Sequence, residues 1–122
     1  MKTKYTAAEI NAALAQCYGT SQYFKHIFGM LYTDGVQTMA EMCEAYWLID
    51  IVASYQGEKK YARESFQAWT IETTDHNTAT VTCTDGNDKF IGKQEIEYTD
   101  FPLIGKFTMW KEGNVLILPS EH

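Results

Sequence analysis

The chain has 122 residues, 45% of them hydrophobic and 14% aromatic, with two prolines and a net charge of −6. That length holds one core and is too short for two domains of usual size. The apolar content and the lack of a low-complexity tract exclude a disordered chain. A single arginine, Arg63, is a poor endowment for gripping phosphates in bidentate fashion and argues against direct nucleic-acid binding.

The charge is uneven: residues 1–60 nearly balance, whereas 61–122 hold most of the acids. Cys17, Cys43 and Cys83 are odd in number and lack C-x-x-C spacing, which fits reduced thiols in a cytoplasm better than a disulfide framework. Met1-Lys2-Thr3-Lys4 leads into a polar helix start, so no signal peptide is expected. Glu41, Glu44 and Asp50 interrupt the richest apolar window, which argues against a membrane span.

In chain order, Thr6 and Glu9 form a capping-box pattern ahead of Ile10, Ala13, Leu14 and Cys17, predicting an amphipathic helix that stops at Gly19 and packs on a central helix. Tyr23 to Tyr32 is ambiguous. Tyr23, Phe24, Ile27 and Phe28 suit a short helix, while Met30-Leu31-Tyr32 suits a strand, and His26 sits among these aromatics with no metal set around it.

The central helix is predicted over Val36 to Tyr55, with Asp34 as its cap, Gln37 as the capping-box partner and Gly57 as its stop. Val36, Met39, Ala40, Cys43, Trp47, Ile51 and Ser54 fall on one stripe. A break near Glu44, giving two shorter helices, satisfies the same pattern. Asp50 falls on that stripe, where a carboxylate is either a satisfied structural group or a functional one of raised pKa.

Gln56 to Ser65 reads as a solvated connection between a mainly helical half, 1–57, and a sheet half, 66–119. Its Lys59-Lys60-x-x-Arg63 cluster fits either an anion contact or plain solubility. From Phe66 the period becomes two: Trp69, Ile71 and Thr73 form one strand face, and Ala79, Val81 and Cys83 form the next. Asp75-His76-Asn77 and Asp85-Gly86-Asn87-Asp88 are turns. Phe90 to Thr99 continues the meander with Ile96 and Tyr98 inward and Glu95 and Glu97 outward, until Asp100-Phe101-Pro102 breaks it. Leu103 to Trp110 and Val115 to Leu118 form a hairpin around Lys111-Glu112-Gly113-Asn114, and Pro119 ends the last strand. The predicted class is α+β, a single domain with two or three N-terminal helices packed on a C-terminal antiparallel sheet of four or five strands.

Five segments together resemble a family of small bacterial, plasmid and phage proteins with no assigned activity: Tyr32-Thr33-Asp34-Gly35-Val36, Ala45-Tyr46-Trp47-Leu48-Ile49-Asp50, Phe66-Gln67-Ala68-Trp69, Tyr98-Thr99-Asp100-Phe101-Pro102-Leu103 and Leu118-Pro119-Ser120-Glu121. The resemblance implies a bacterial or mobile-element context and carries no catalytic residue.

The chain has no phosphate-cradling loop, nucleophile elbow or zinc spacing, and no cofactor or metal is expected. The leading functional expectation is a non-enzymatic module, an inhibitor carried by a mobile element, that offers carboxylates to the basic nucleic-acid groove of a host protein. Asp85, Asp88, Glu95 and Glu97, with Tyr98 and Trp110 as surface aromatics, are the expected binding residues. The alternative is a small enzyme with a dispersed site drawing on Asp34, Asp50 and Asp100 with His26 or Ser54.

Overall fold

A computed structural model describes residues 5–87 and 89–121. Their elements are α1 (Ala7–Leu14), β1 (Tyr23–Lys25), β2 (Leu31–Thr33), α2 (Asp34–Cys43), α3 (Tyr46–Tyr55), α4 (Lys59–Ala62), β3 (Phe66–Thr73), β4 (Ala79–Thr84), β5 (Phe90–Ile96), β6 (Gly105–Glu112), β7 (Val115–Ile117) and a closing 3-10 turn, Pro119–Glu121. The strands form one sheet in the order β1-β2-β7-β6-β3-β4-β5, antiparallel except where β2 runs parallel to β7.

This corrects the expected fold. The sheet is mixed and seven-stranded among the described residues, and two of its strands come from the half read as helical. Tyr23 to Tyr32 is a hairpin, Phe24 pairing with Tyr32, whose second strand docks through Leu31 and Tyr32 on Val115 and Leu116. Strands of three residues show too little alternation to be read from sequence, and their partner lies far down the chain.

The alternation in β3 and β4 holds: Trp69, Ile71 and Thr73, then Ala79, Val81 and Cys83, are buried. β6 and β7 form the expected hairpin, turning at Gly113 with φ 57, where glycine meets no steric penalty. The inner sheet face joins α1, α2 and α3 in one core containing Ile10, Met39, Leu48, Val52, Trp69, Met109 and Leu116.

The Thr6–Glu9 capping box forms, with the Thr6 N–H donating to Glu9 Oε1 at 2.8 Å and the Glu9 N–H to Thr6 Oγ1 at 3.1 Å. Its helix closes at Leu14 rather than Gly19 and packs on α2. The connection from Gln56 to Ser65 is not simply solvated. It holds α4, whose Tyr61 is 2% exposed and lies against Tyr55 and Trp69 with ring centroids 5.0 and 5.7 Å away. The Tyr61 hydroxyl crosses Gly92, where a Cβ would fall 1.8 Å from the oxygen.

The central helix is broken, as the second of the two readings allowed: α2 ends at Cys43 and α3 begins at Tyr46. Its cap is Thr33, not Asp34, because β2 delivers Thr33 in extended conformation, and Thr33 Oγ1 accepts from the Val36 N–H at 3.2 Å. The third helical position is then Val36, and Gln37 falls out of capping register. Thr33 Oγ1 also donates to Glu121 Oε1 at 2.6 Å, so the end of the chain closes over Gly35, where a Cβ would meet that carboxylate at 2.6 Å.

Candidate functional site

The break between α2 and α3 is made by Glu44 in the left-handed region, φ 51 and ψ 46. The Ala45 N–H reaches back to the Ala40 carbonyl at 2.9 Å, the six-residue closure that glycine usually makes at a helix end. A residue with a β-carbon there costs about 1–2 kcal/mol. The turn restarts the helical phase, so α3 buries Leu48, Ile49, Val52 and Ala53 and turns Tyr46, Asp50 and Ser54 outward.

The same turn places two carboxylates beside two aromatic rings. Ala40, Glu41, Glu44, Tyr46 and Trp47 line a shallow, open concavity of about 570 Å³. The Tyr46 hydroxyl donates to Glu41 Oε1 at 2.7 Å. Burial pushes the Tyr46 phenol up to about 12, helped by that bond and by the Glu41 charge, so the phenol keeps its proton at neutral pH. On its other flank Trp47 lines a second hollow of about 450 Å³ with Ile96, Tyr98, Thr99 and Asp100.

This second wall is held by the β3–β4 turn. Asn77, with φ 62, accepts from the Thr99 N–H at 2.8 Å and donates its side-chain amide to the Thr99 carbonyl at 3.2 Å. Phe101 then packs on Trp47 with ring centroids 6.1 Å apart at 80°. Trp47 is common to both hollows, which together we call the Trp47 groove: Glu41, Glu44 and Asp100 supply its carboxylates and Tyr46, Trp47 and Tyr98 its rings. A ring face flanked by carboxylates attracts cations through both its quadrupole and their charge.

Of the expected site residues, Tyr98 and Asp100 line this groove. The inward reading of Tyr98 is corrected: β5 ends at Ile96, the alternation stops with it, and Tyr98 is 69% exposed. Glu95 is exposed on β5 and Glu97 just beyond it, while Asp85 lies at the other end of that strand, roughly 20 Å along it. The Asp85 carboxylate is taken up in its own turn by the Asn87 and Lys89 N–H groups at 2.8 and 3.1 Å. Asp88 lies outside the described residues. Trp110 is half-buried on the outer sheet face, its ring 5.6 Å from that of Phe66.

Two residues of the dispersed-site alternative, His26 and Asp50, meet. Asp50, read as lying on the core stripe, has a side chain 66% exposed because the phase restarts at Glu44; its Oδ1 lies 2.6 Å from His26 Nε2. His26 Nδ1 accepts from the Phe28 N–H at 3.0 Å. Both ring nitrogens are therefore committed, which suits a clasp between the β1–β2 hairpin and α3 and leaves no basic nitrogen facing outward. Ser54 donates to the Ile51 carbonyl at 2.8 Å. Asp34 Oδ2 accepts from the Ser21 N–H at 3.3 Å while its Oδ1 is buried without a hydrogen-bond partner among the described residues. Among the described residues no three His, Cys, Asp or Glu side chains group to hold a metal ion, and no helix is long and apolar enough to cross a membrane.

Trp47 and Glu44 were both visible as residues, yet neither was expected in a site. The stripe assigned Trp47 to the core, and nothing in a glutamate signals left-handed backbone.

Residues 8–122 match a family of unknown function, DUF6876, and the chain belongs to it. No curated protein and no solved structure matches the chain. Four of the five segments that carried the resemblance meet in pairs: Tyr32–Val36 meets Leu118–Glu121 through Thr33 and Glu121, and Ala45–Asp50 meets Tyr98–Leu103 through Trp47 and Phe101.

Proposed function

We propose that the protein is a non-enzymatic interaction module whose Trp47 groove receives a basic segment of another protein. The observation that carries this reading is Glu44. Its backbone favours glycine, yet it carries a carboxylate on the groove wall, and strain kept at a surface turn is characteristic of sites in use. Glu41, Glu44 and Asp100 supply charge, while Tyr46, Trp47 and Tyr98 supply ring faces for lysine or arginine side chains. Among partners, proteins with a nucleic-acid-binding groove present that chemistry most densely.

The test is titration of the full chain with a fluorescent lysine- and arginine-rich peptide, followed by anisotropy at several salt concentrations. Binding is expected to weaken as salt rises. The double substitution Glu41→Gln/Glu44→Gln should abolish most of it, while Glu95→Gln/Glu97→Gln, with the same change of charge, should retain it. Equal losses from both pairs would mean that net charge alone attracts the peptide, and the groove assignment would fall.

A further inference from the structure

At the opposite end of β5 a third hollow of about 250 Å³ is lined by Lys60, Arg63, Glu64, Lys89, Phe90 and Ile91, sharing no residue with the Trp47 groove. Three basic side chains, including the chain's one arginine, converge there in a protein of net charge −6. They do so because α4 is fixed from below. The buried Tyr61 ring packs with Tyr55 and Trp69 in a three-ring cluster, and Lys60 and Arg63 on either side of it in the chain line the hollow with the start of β5.

Glu64 is the acid within this lining. Its carboxylate is shared, 3.4 Å from Lys89 Nζ and 3.9 Å from Arg63 Nε, with 19% of the side chain exposed. One carboxylate among three cations leaves the hollow with a net charge of about +2. Phe90, 59% exposed, supplies a ring wall beside the charges.

We propose that this hollow binds a phosphate monoester dianion bearing a planar group, with the phosphate held by Lys60, Arg63 and Lys89 and the planar group against Phe90. A dianion matches the local charge, and the Arg63 guanidinium presents paired donors to phosphate oxygens. A single such pocket is compatible with a chain too poor in arginine to track a nucleic-acid backbone, since one phosphate needs one cluster.

The probes are adenosine monophosphate, inorganic phosphate and adenosine, titrated into the nitrogen-15-labelled full chain and followed by backbone amide shifts. Adenosine monophosphate is expected to shift the amides of 60–64 and 89–91. Inorganic phosphate should shift the same set at higher concentration, and adenosine should leave them in place. Arg63→Ala and Lys89→Ala should each weaken binding about tenfold, the scale of one charge-assisted contact, while Lys106→Ala on the outer sheet face should leave it unchanged. Absence of shifts at millimolar nucleotide, equal shifts with sodium chloride at matched ionic strength, adenosine binding as well as its monophosphate, inorganic phosphate binding as tightly as the nucleotide, or either alanine variant titrating like the parent would each overturn the proposal.

Discussion

Two polar clusters sit against the same core and are built in opposite ways. Beneath α4, Gln67 is 0% exposed and spends its whole amide: Nε2 donates to the Tyr61 carbonyl at 2.7 Å and to Gln56 Oε1 at 2.9 Å, and Oε1 accepts from Gln56 Nε2 and from Trp69 Nε1, each at 2.8 Å. At the α2–α3 turn, by contrast, Glu44 is exposed on a strained backbone, facing an open groove. A closed network fixes one arrangement of the chain, since every alternative strands a buried group. An open, strained cluster holds interaction capacity in reserve. The first cluster serves stability, and under the proposed function the second serves recognition, a division that substitutions in each can break.

The largest effect is expected at Gln67. Gln67→Ala strands the Tyr61 carbonyl, the Trp69 indole N–H and half of the Gln56 amide, and should cost about 3 kcal/mol or more, at 1–3 kcal/mol per unsatisfied buried group. Urea melts read that loss, while peptide affinity measured on the folded protein should stay at the parental value. A parallel fall in affinity would show that the two clusters are coupled. Gly92→Ala probes the same region by steric means. The new Cβ would fall 1.8 Å from the Tyr61 hydroxyl and 3.0 Å from its ring carbon, so a loss of about 1–3 kcal/mol is expected. Tyr61→Phe should recover part of it in a double-mutant cycle; purely additive losses would place the clash elsewhere.

The core side also has a pH signature. Burial pushes the Cys43 thiol up to about 12 from 9.0, and burial with the Glu64 charge does the same for Cys83, offset in part by Lys111. The folded state therefore keeps these protons where the unfolded chain releases them. Their stabilising contribution is complete below pH 9 and is lost as pH rises toward 12, with a slope of up to about 1.4 kcal/mol per pH unit for each thiol. Burial lowers the Lys111 pKa from 10.5; there the unfolded state binds more protons, so that single group favours folding as pH rises through the same range. Cys43→Ala should flatten the alkaline slope between pH 9 and 12. An unchanged slope would remove that thiol from the account.

What the sequence made legible follows the same division. Local chemistry was readable: the Thr6–Glu9 box, the alternation through Trp69, Ile71, Val81 and Cys83, and the turn at Gly113 each depend on residues close in the chain. Long-range closure was not. The β1–β2 hairpin owes its place to β7, the Thr33 cap is completed by Glu121, and Tyr61 is buried by Trp69 and Gly92. The groove fell between the two. Tyr98 is legible as a surface aromatic and Asp100 as a carboxylate of interest, but helical periodicity carried straight through Glu44 sends Asp50 to the core and Trp47 with it. The Asp50 side chain does not lie there, and Trp47 packs partly buried against that core while also lining both hollows. One residue in the left-handed region changes the phase of everything after it, and a glutamate, unlike a glycine, does not advertise that conformation.

The smallest effect tests that residue directly and is the only one expected to move the two properties in opposite directions. Glu44→Gly relieves the left-handed β-carbon, worth about 1 kcal/mol after allowing for the extra freedom glycine gives the unfolded chain. The variant should therefore melt at higher temperature than the parent. The same substitution deletes one carboxylate from the groove beside Tyr46 and Trp47, so its affinity for a lysine- and arginine-rich peptide should fall several-fold, with a weaker dependence on salt. Glu44→Gln separates the two causes, since it removes the charge while leaving the β-carbon and its strain. It should bind as weakly as the glycine variant and melt like the parent. If Glu44→Gly gains stability and keeps full affinity, the strained turn is merely tolerated, and the groove loses the observation on which its function rests.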